Sequence, residues 1–434
     1  MATVPHALQH VKSPLQELVT TEQILQLADE LGHTWRTRKL NPATTVLAWL
    51  LQMLAQVALQ GLRHVTHIPA SAAAFCKAKQ RLPLALLHKL VTLSAQTQAA
   101  TPWLWKGFTL CLVDGTSVTT PDTAELDRHF GKATNQHGRS TGYPAPKLLA
   151  LFDWSTGLLS RVVTLPAWRQ EYTCLTRLWA VVTSLGAQVL VLGDRGLVSF
   201  THLALLGDRG GHGCFRLPKG QVVFGRGRAS HRRLQRLGQQ DLLVAWQGER
   251  RPRWMSQKRW ESLGLAQRTI TLRQMAFRVC RPGYRTHWAW IITTLLDPVE
   301  YPAQDLIELY CQRWQVEVYF RDLKQTLGLK RLSCRTLPGV QKEILMGVLL
   351  YNLVRRVMLL AAVNQHTVPN RISFTDALLW LRWTPPGTPL GRLKSNAVRV
   401  RPAPPRRLKE TRTKFQQLKG HRQKLTRPPY RVTL

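Results

Sequence analysis

The hydrophobic pattern changes period several times along the chain. As far as about residue 100 apolar positions recur at helical spacing, through "LAWLLQMLAQVALQGL" and again through "LPLALLHKLVTL". Between them, "HIPASAAAFCKAKQRL" predicts a short basic helix capped by Ser71. At Trp105 the period shortens. "GFTLCLVDGTSVTT" predicts a strand that stops at Asp114, and "APKLLALFDWSTGLLSRVVTL" predicts two strands joined at Ser155, Thr156 and Gly157. "EYTCLTRLWAVVTSLG" predicts a helix ending at Gly186. The fully apolar "AQVLVLGDRG" predicts a buried strand stopping at Asp194. Strands, then a helix, then another buried strand imply a mixed α/β sheet.

From about Gly196 to Leu296, short β-like pieces alternate with arginine-rich turns, which predicts a strand-rich basic insertion within the α/β domain. A long helix is expected to begin near Pro302, and the tail from Thr384 is rich in Pro and Arg, the composition of a partly disordered basic arm. The expected plan is a helical domain at 1–100, a first core part at 101–195, the insertion at 196–300, a second core part at 301–380 and the basic tail at 381–434.

Composition narrows the function classes. The chain has 434 residues and 44% hydrophobic content, enough for a sizeable core and two or three domains. Lys and Arg total 61 against 24 Asp and Glu, a formal net charge of +37. So large a surplus favours a polyanionic partner, and nucleic acid is the commonest. The plainer alternative is a charged protein that merely adheres to RNA. The seven cysteines are scattered and never spaced as CxxC, and no HExxH occurs, which argues against a disulfide scaffold or a zinc site. The opening "MATVPHALQHVKSPLQELV" lacks the basic start and apolar core of a signal peptide, and the apolar stretch Thr45 to Leu59 is too short to span a bilayer. A soluble, cytoplasmic protein without membrane partners is expected. No GxxxxGK[ST] loop is present, so no ATP requirement is expected.

The segment "YCQRWQVEVYFRDLK" sets one carboxylate, Glu317, among cations and aromatics. Asp305 to Lys324 contains no Pro or Gly, so a continuous helix is expected. At about 100° per residue, Tyr310, Arg313, Glu317 and Lys324 then share a stripe about 60° wide, with Glu308 and Asp322 off it. A solvated helix face with incidental Glu–Arg pairing is the simpler account, but such a face has no need of the tyrosine. Asp114 and Asp194 each stand where an apolar strand is expected to end, the usual place for ligand sites in parallel α/β sheets. Either alone would more often be a turn residue. With Glu317 they make three hard oxygen donors, which suit Mg²⁺, and a pair of such ions can serve phosphoryl transfer.

Tyr310, Arg313, Glu317 and Lys324 match the Y-(2)-R-(3)-E-(6)-K signature, and the chain resembles the DDE transposases of bacterial insertion-sequence family four. "LCLVDGTSV" resembles their first catalytic segment and "VLVLGDRG" the second. The resemblance implies a ribonuclease-H-like mixed sheet with a strand-rich insertion, a helical N-terminal domain and a basic C-terminal tail. It implies that Asp114, Asp194 and Glu317 bind two Mg²⁺ ions, with Mn²⁺ as a substitute. Tyr310, Arg313 and Lys324 would grip phosphates of the element end. The implied reaction is hydrolysis at the ends of an insertion element, then joining of the freed 3′-OH ends to target DNA, with a hairpin intermediate in some members. Trp288 and Trp290 are the candidates to hold a base turned out of the stack; simple packing of the insertion is the alternative for both. Expected partners are double-stranded DNA, as terminal inverted repeats and target, and a second copy of the chain in a synaptic complex. A structure-specific nuclease on the same fold, or a non-catalytic DNA-binding protein derived from a transposase, would share many of these features.

Overall fold

The computed structural model describes residues 20–35, 39–96, 104–134, 140–186, 188–225, 227–228, 230–248, 250–280, 287–385, 388–396 and 431–433. They fall into two units, one within Met1–Gly213 and Gln312–Asn396, the other within Cys214–Cys311 and Ala397–Leu434. Most of the basic tail, residues 397–430, lies outside the described residues.

The first unit opens with α1 (Thr21–Glu30), α2 (Pro42–Ala55), α3 (Leu62–Thr66), α4 (Ala72–Arg81) and α5 (Leu84–Ala95). Their starts are set locally. Thr20 and Gln23 form a capping box on α1, Asn41 accepts from the Thr44 N–H with Pro42 in the first turn of α2, and Ser71 caps α4 by accepting from the Ala74 N–H. α2 is buried over most of its length, as its unbroken apolar run requires.

Next come β1 (Thr109–Ser117), α6 (Ala124–Phe130), a small hairpin of β2 (Lys132–Thr134) and β3 (Ser140–Pro144), then β4 (Lys147–Asp153), β5 (Leu159–Leu165), α7 (Thr176–Trp179), β6 (Val189–Gly193) and α8 (Phe200–Gly207). The principal strands lie in the order β5-β4-β1-β6, with β4 antiparallel to both neighbours and β1 parallel to β6. Three antiparallel strands with a parallel fourth make the ribonuclease-H-like mixed sheet. Two expectations change here. β1 does not stop at Asp114: its pairing with β6 ends at Val113–Gly193, while its pairing with β4 runs on to Ser117–Lys147. Asp114 therefore sits inside a strand, where one side of the ladder has just fallen open. The segment expected as one helix to Gly186 is broken into a 3₁₀ turn at Glu171–Cys174, the four-residue α7 and a second 3₁₀ turn at Val182–Ser184. Its β-branched Thr173, Val181, Val182 and Thr183 disfavour a continuous helix.

The second unit contains β7 (Gly211–Arg216) through its residues Cys214–Arg216, with β8 (Gly227–Arg228), β9 (His231–Gly238), β10 (Asp241–Gln247), α9 (Gln257–Ser262), β11 (Thr269–Cys280), β12 (His287–Thr293) and α10 (Ala303–Cys311). Strands β12-β11-β10-β9-β8 form an antiparallel meander. Arg273 is buried and fastens the meander to the loop before α10, meeting Asp241 at 2.5 Å and donating to the carbonyls of Asp297 and Tyr301. β9 is the opposite: Arg232, Arg233 and Arg236 are all exposed on it.

The long helix expected from Pro302 is not uniform. α10 ends at Cys311, Gln312–Trp314 is a 3₁₀ turn, α11 spans Gln315–Arg321, and Asp322–Thr326 opens into a π turn. A constant angle per residue therefore does not carry from Tyr310 to Lys324. α12 (Leu337–Asn364) follows, then α13 (Phe374–Trp383). α12 is long and apolar enough to cross a membrane, but 83% of its apolar window is buried, so it is the core helix of the first unit. It packs on α5 and α13, and its buried polar residues are all used. Asn352 bonds Ser94 and the backbone of Leu159, while Arg355 donates to the Thr156 carbonyl and, at 2.7 Å, to Asn370 Oδ1.

Candidate active site

Asp114 lies at the point where β1 loses its parallel neighbour, and Asp194 directly follows the end of that neighbour, β6. Glu317 is exposed on α11. Asp114, Thr116, Glu317, Phe320, Arg321 and Lys324 share one groove of about 370 Å³.

Both oxygens of Asp114 are engaged. Oδ1 accepts from the Gly115 N–H at 2.8 Å, and Oδ2 accepts from Arg313 Nη1 at 3.3 Å. Burial nevertheless pushes the Asp114 carboxyl up to about 6, against the pull of Gly115 and Arg313 and with help from the charges of Asp194 and Glu171. Glu317 is also raised, first by partial burial and then by Asp194, while Arg313 opposes. Each of these acids thus feels Asp194. Lys324, in the π turn, donates to Thr116 Oγ1 at 2.8 Å, and burial with the nearby Lys330 lowers its pKa. Thr116 and Asp114 are two apart on β1, so they share a face of the strand.

Behind the groove the helix is anchored by buried contacts. The Tyr319 hydroxyl is 2.8 Å from the Trp154 carbonyl and 3.0 Å from Asn370 Oδ1, and Arg355 lies 4.9 Å from the Tyr319 ring centroid. These contacts tie α11 to the β4–β5 turn, and so tie Glu317 to the sheet.

The structure places the sequence candidates Asp114, Arg313, Glu317 and Lys324 as neighbours in one region, with Asp194 within electrostatic reach. Sequence reasoning missed Thr116, for which the "DGT" alternation was a usable signal, and Glu171, for which there was none. The Glu171 carboxylate rests against Gly115, so closely that a Cβ at Gly115 would stand 2.5 Å from it. Tyr310 is 7% exposed at the end of α10, and its hydroxyl is shielded from solvent. In the second unit, Trp288 is 41% exposed with Arg278 5.8 Å from its ring centroid, whereas Trp290 is half-buried and edge-on to Phe224.

The donor set is chemically suited to a divalent cation: three carboxylates, with Asp114 and Glu317 each raised in part by the charge of Asp194. Among the described residues, however, no three such groups stand at distances that would hold a metal ion. A guanidinium, Arg313, holds the place beside Asp114.

The sequence profile described as "Transposase DDE domain" matches residues 105–353. That is more than half of the chain, and it covers β1, β6 and α11 together. The transposase InsG of insertion sequence element IS4, from Escherichia coli K12, is 30% identical over 309 residues, spanning 70% of this chain and 65% of InsG. The InsZ protein of the same strain is 30% identical over 148 residues, 33% of this chain and 48% of InsZ. The matched stretch is thus just under two thirds of one relative and about half of the other. A piggyBac transposase synaptic complex with hairpin DNA aligns at a TM-score of 0.46 with 9% identity, covering 88% of this chain and 80% of that one. The profile match gives the class of the core: a transposase DDE domain. The chain belongs to the transposase DDE-domain family.

Proposed function

We propose that this protein is a metal-dependent DNA transposase that cuts the ends of an insertion element and joins the 3′-OH ends to target DNA. The observation that carries the reading is the convergence of Asp114, Glu317 and Lys324 on one groove, with Arg313 paired to Asp114 and Asp194 in electrostatic contact, in a chain of this family. Asp114, Asp194 and Glu317 are the residues that would hold divalent ions, with Mg²⁺ the ion we assign and Mn²⁺ its substitute. When bound, such ions bring Lewis acidity to the scissile phosphate and to the attacking and leaving oxygens.

The chain's own residues do the rest. Arg313 and Lys324 carry positive charge to where a phosphodiester transition state gathers negative charge, and Arg313 can fork onto two phosphate oxygens. Both have an interim partner, Asp114 and Thr116, that holds them in place until DNA arrives. Release of Asp114 by Arg313 onto phosphate frees that carboxylate for a cation. Tyr310, buried as it is, reaches a phosphate only if the end of α10 shifts on DNA. The N-terminal helices take the terminal repeats, and the exposed arginines of β9 add backbone contacts without base information. Pairing two element ends requires two copies of the chain, and Trp288, the more exposed of the two tryptophans, is the one we assign to a flipped base at a hairpin step.

The test is cleavage of supercoiled plasmid carrying the element's own ends, with Mg²⁺ or EDTA, beside Glu317→Ala. Metal-dependent cuts at the ends that vanish in the variant while DNA binding persists are expected. Binding without cutting, where a related active enzyme cuts, would instead favour the non-catalytic DNA-binding reading. Cutting without joined products would favour a nuclease.

A further inference from the structure

A second cleft, of about 1280 Å³, lies in the first unit between the helical bundle and the loop that follows the π turn. That volume exceeds the roughly 300–1,000 Å³ of a small-molecule site. The loop is pinned to the outgoing end of β1, the strand that carries Asp114. Thr119 donates to the Lys330 carbonyl at 3.0 Å and accepts from the Leu332 N–H at 2.8 Å, while Lys330 donates back to the Lys324 carbonyl at 3.0 Å. The segment from Lys324 to Thr336 therefore lines the catalytic groove at one end and this cleft at the other.

The charges in the cleft are not balanced. Its acids, Glu125 and Glu343, are engaged by backbone: Glu125 accepts from the Leu337 N–H, and Glu343 accepts from the Ser333 and Cys334 N–H groups and the Ser333 hydroxyl. Arg331 and Arg335 stand exposed on the rim and, among the described residues, have no ion-pair partner. On the floor, the Lys79 ammonium donates to Gln52 Oε1 and lies 4.5 Å from the Trp49 ring centroid, again without a carboxylate at ion-pair distance among the described residues. Burial lowers the Lys79 pKa to about 8, although Glu343 and two thiols, Cys334 and Cys76, pull it upward. A half-buried ammonium with an amide and a ring for company is a cation waiting for an anion.

We propose that this cleft is a second phosphate-binding subsite, which takes the DNA strand continuing beyond the scissile phosphate, with Lys79 on its floor and Arg331 and Arg335 at its rim. The inference rests on the DNA-transposase reading and extends it by a strand path from Lys324 along the loop to Lys79. Its length points to a polymer, since the cleft is too large for a lone phosphate.

Two measurements on the full chain test it. Cys76 is exposed and lines the cleft, so it reports on occupancy without any substitution. Duplex DNA carrying the element end and its flank should slow alkylation of Cys76 by N-ethylmaleimide at least several-fold, read by peptide mass spectrometry; inorganic phosphate should not. In parallel, Lys79→Met and the double substitution Arg331→Gln/Arg335→Gln should each flatten the salt dependence of DNA affinity by about 0.9 per phosphate contact removed. DNA that binds but leaves both Cys76 alkylation and the salt slopes unchanged overturns the subsite and leaves the transposase reading intact. Protection by phosphate alone, with unchanged slopes, also overturns it in favour of a free-anion site. A chain that binds no DNA at all overturns both.

Discussion

Arg313 and Asp114 form an ion pair at 3.3 Å, with the two side chains 14% and 26% exposed, and this pair joins the residue proposed to grip phosphate to one proposed to bind metal. One cation neutralises the carboxylate that a divalent ion would use. Removing it should split the two properties. Arg313→Ala is expected to raise Mn²⁺ affinity by about 3- to 10-fold, the equivalent of roughly 1 kcal/mol for a partly exposed pair. The same change should lower end cleavage about 10²- to 10³-fold, as loss of a transition-state cation does. Calorimetric Mn²⁺ titration at pH 8, where Asp114 is ionised, and plasmid cleavage read the two effects. Metal affinity that stays the same would show that the pair does not compete with the cation.

The raised carboxyl of Asp114 has a consequence for stability. Its folded pKa of about 6 lies above its ordinary 3.8, so the folded chain holds more protons than the unfolded chain between those values. Stability therefore falls as pH rises from about 4 to about 6, and the full penalty remains at neutral pH. Asp114→Asn removes the charge and should raise stability at pH 7.5 by about 1–3 kcal/mol, while doing nothing below pH 4. Buried Asp322, also raised to about 6 by burial, acts in the same window and is the control: its substitution shifts the same melt without touching metal affinity. Thermal melts at several pH values, without metal, settle the sign.

How much of this site was legible in the sequence depends on which force set each part. Asp114 and Asp194 stood out because parallel pairing buries β1 and β6 to the same depth, and the apolar run must end where the pairing ends. That β1 continues to Ser117 was hidden, since its outer ladder is with β4, whose register no local pattern announces. Arg313, Glu317 and Lys324 were legible through a spacing signature. The 3₁₀ and π turns around α11 were not, because tertiary contacts such as Tyr319 to Trp154 select them over the regular helix that propensity favours. Glu171 reached the site only through the fold, from a segment that sequence pattern read as an ordinary helix.

Gly157 makes a test of the anchoring network. It holds φ of +70°, and a Cβ there would overlap the Arg355 guanidinium. Its carbonyl also accepts from the Tyr351 hydroxyl at 2.8 Å. Gly157→Ala should cost about 2–4 kcal/mol through left-handed strain and a displaced buried cation. Because Arg355 also contacts Asn370, which bonds Tyr319 on α11, cleavage should fall beyond what lost folded protein explains. In a double-mutant cycle with Arg355→Ala the two losses should be strongly non-additive. Simple additivity would mean that the turn and the arginine act separately.

Trp288 and Trp290 are two apart on β12, on one side of the strand, yet they differ in surroundings. Trp290 is half-buried and edge-on to Phe224 at 5.9 Å, the geometry of an aromatic pair, so Trp290→Ala should cost about 1–3 kcal/mol and act on stability. Trp288 is 41% exposed, with Arg278 5.8 Å from its ring centroid. Its loss should leave the melt within about 0.5–1 kcal/mol of the parent, since an exposed cation–π contact is worth little more. On the proposed hairpin route a base stacked on it would contribute about 1–3 kcal/mol, so Trp288→Ala should reduce accumulation of hairpin ends by roughly ten-fold or more while first-strand nicking continues. End-labelled duplexes with 2-aminopurine at the terminal position read both steps. Unchanged quenching in Trp288→Ala would remove the base-holding role and return this side chain to the surface of the insertion.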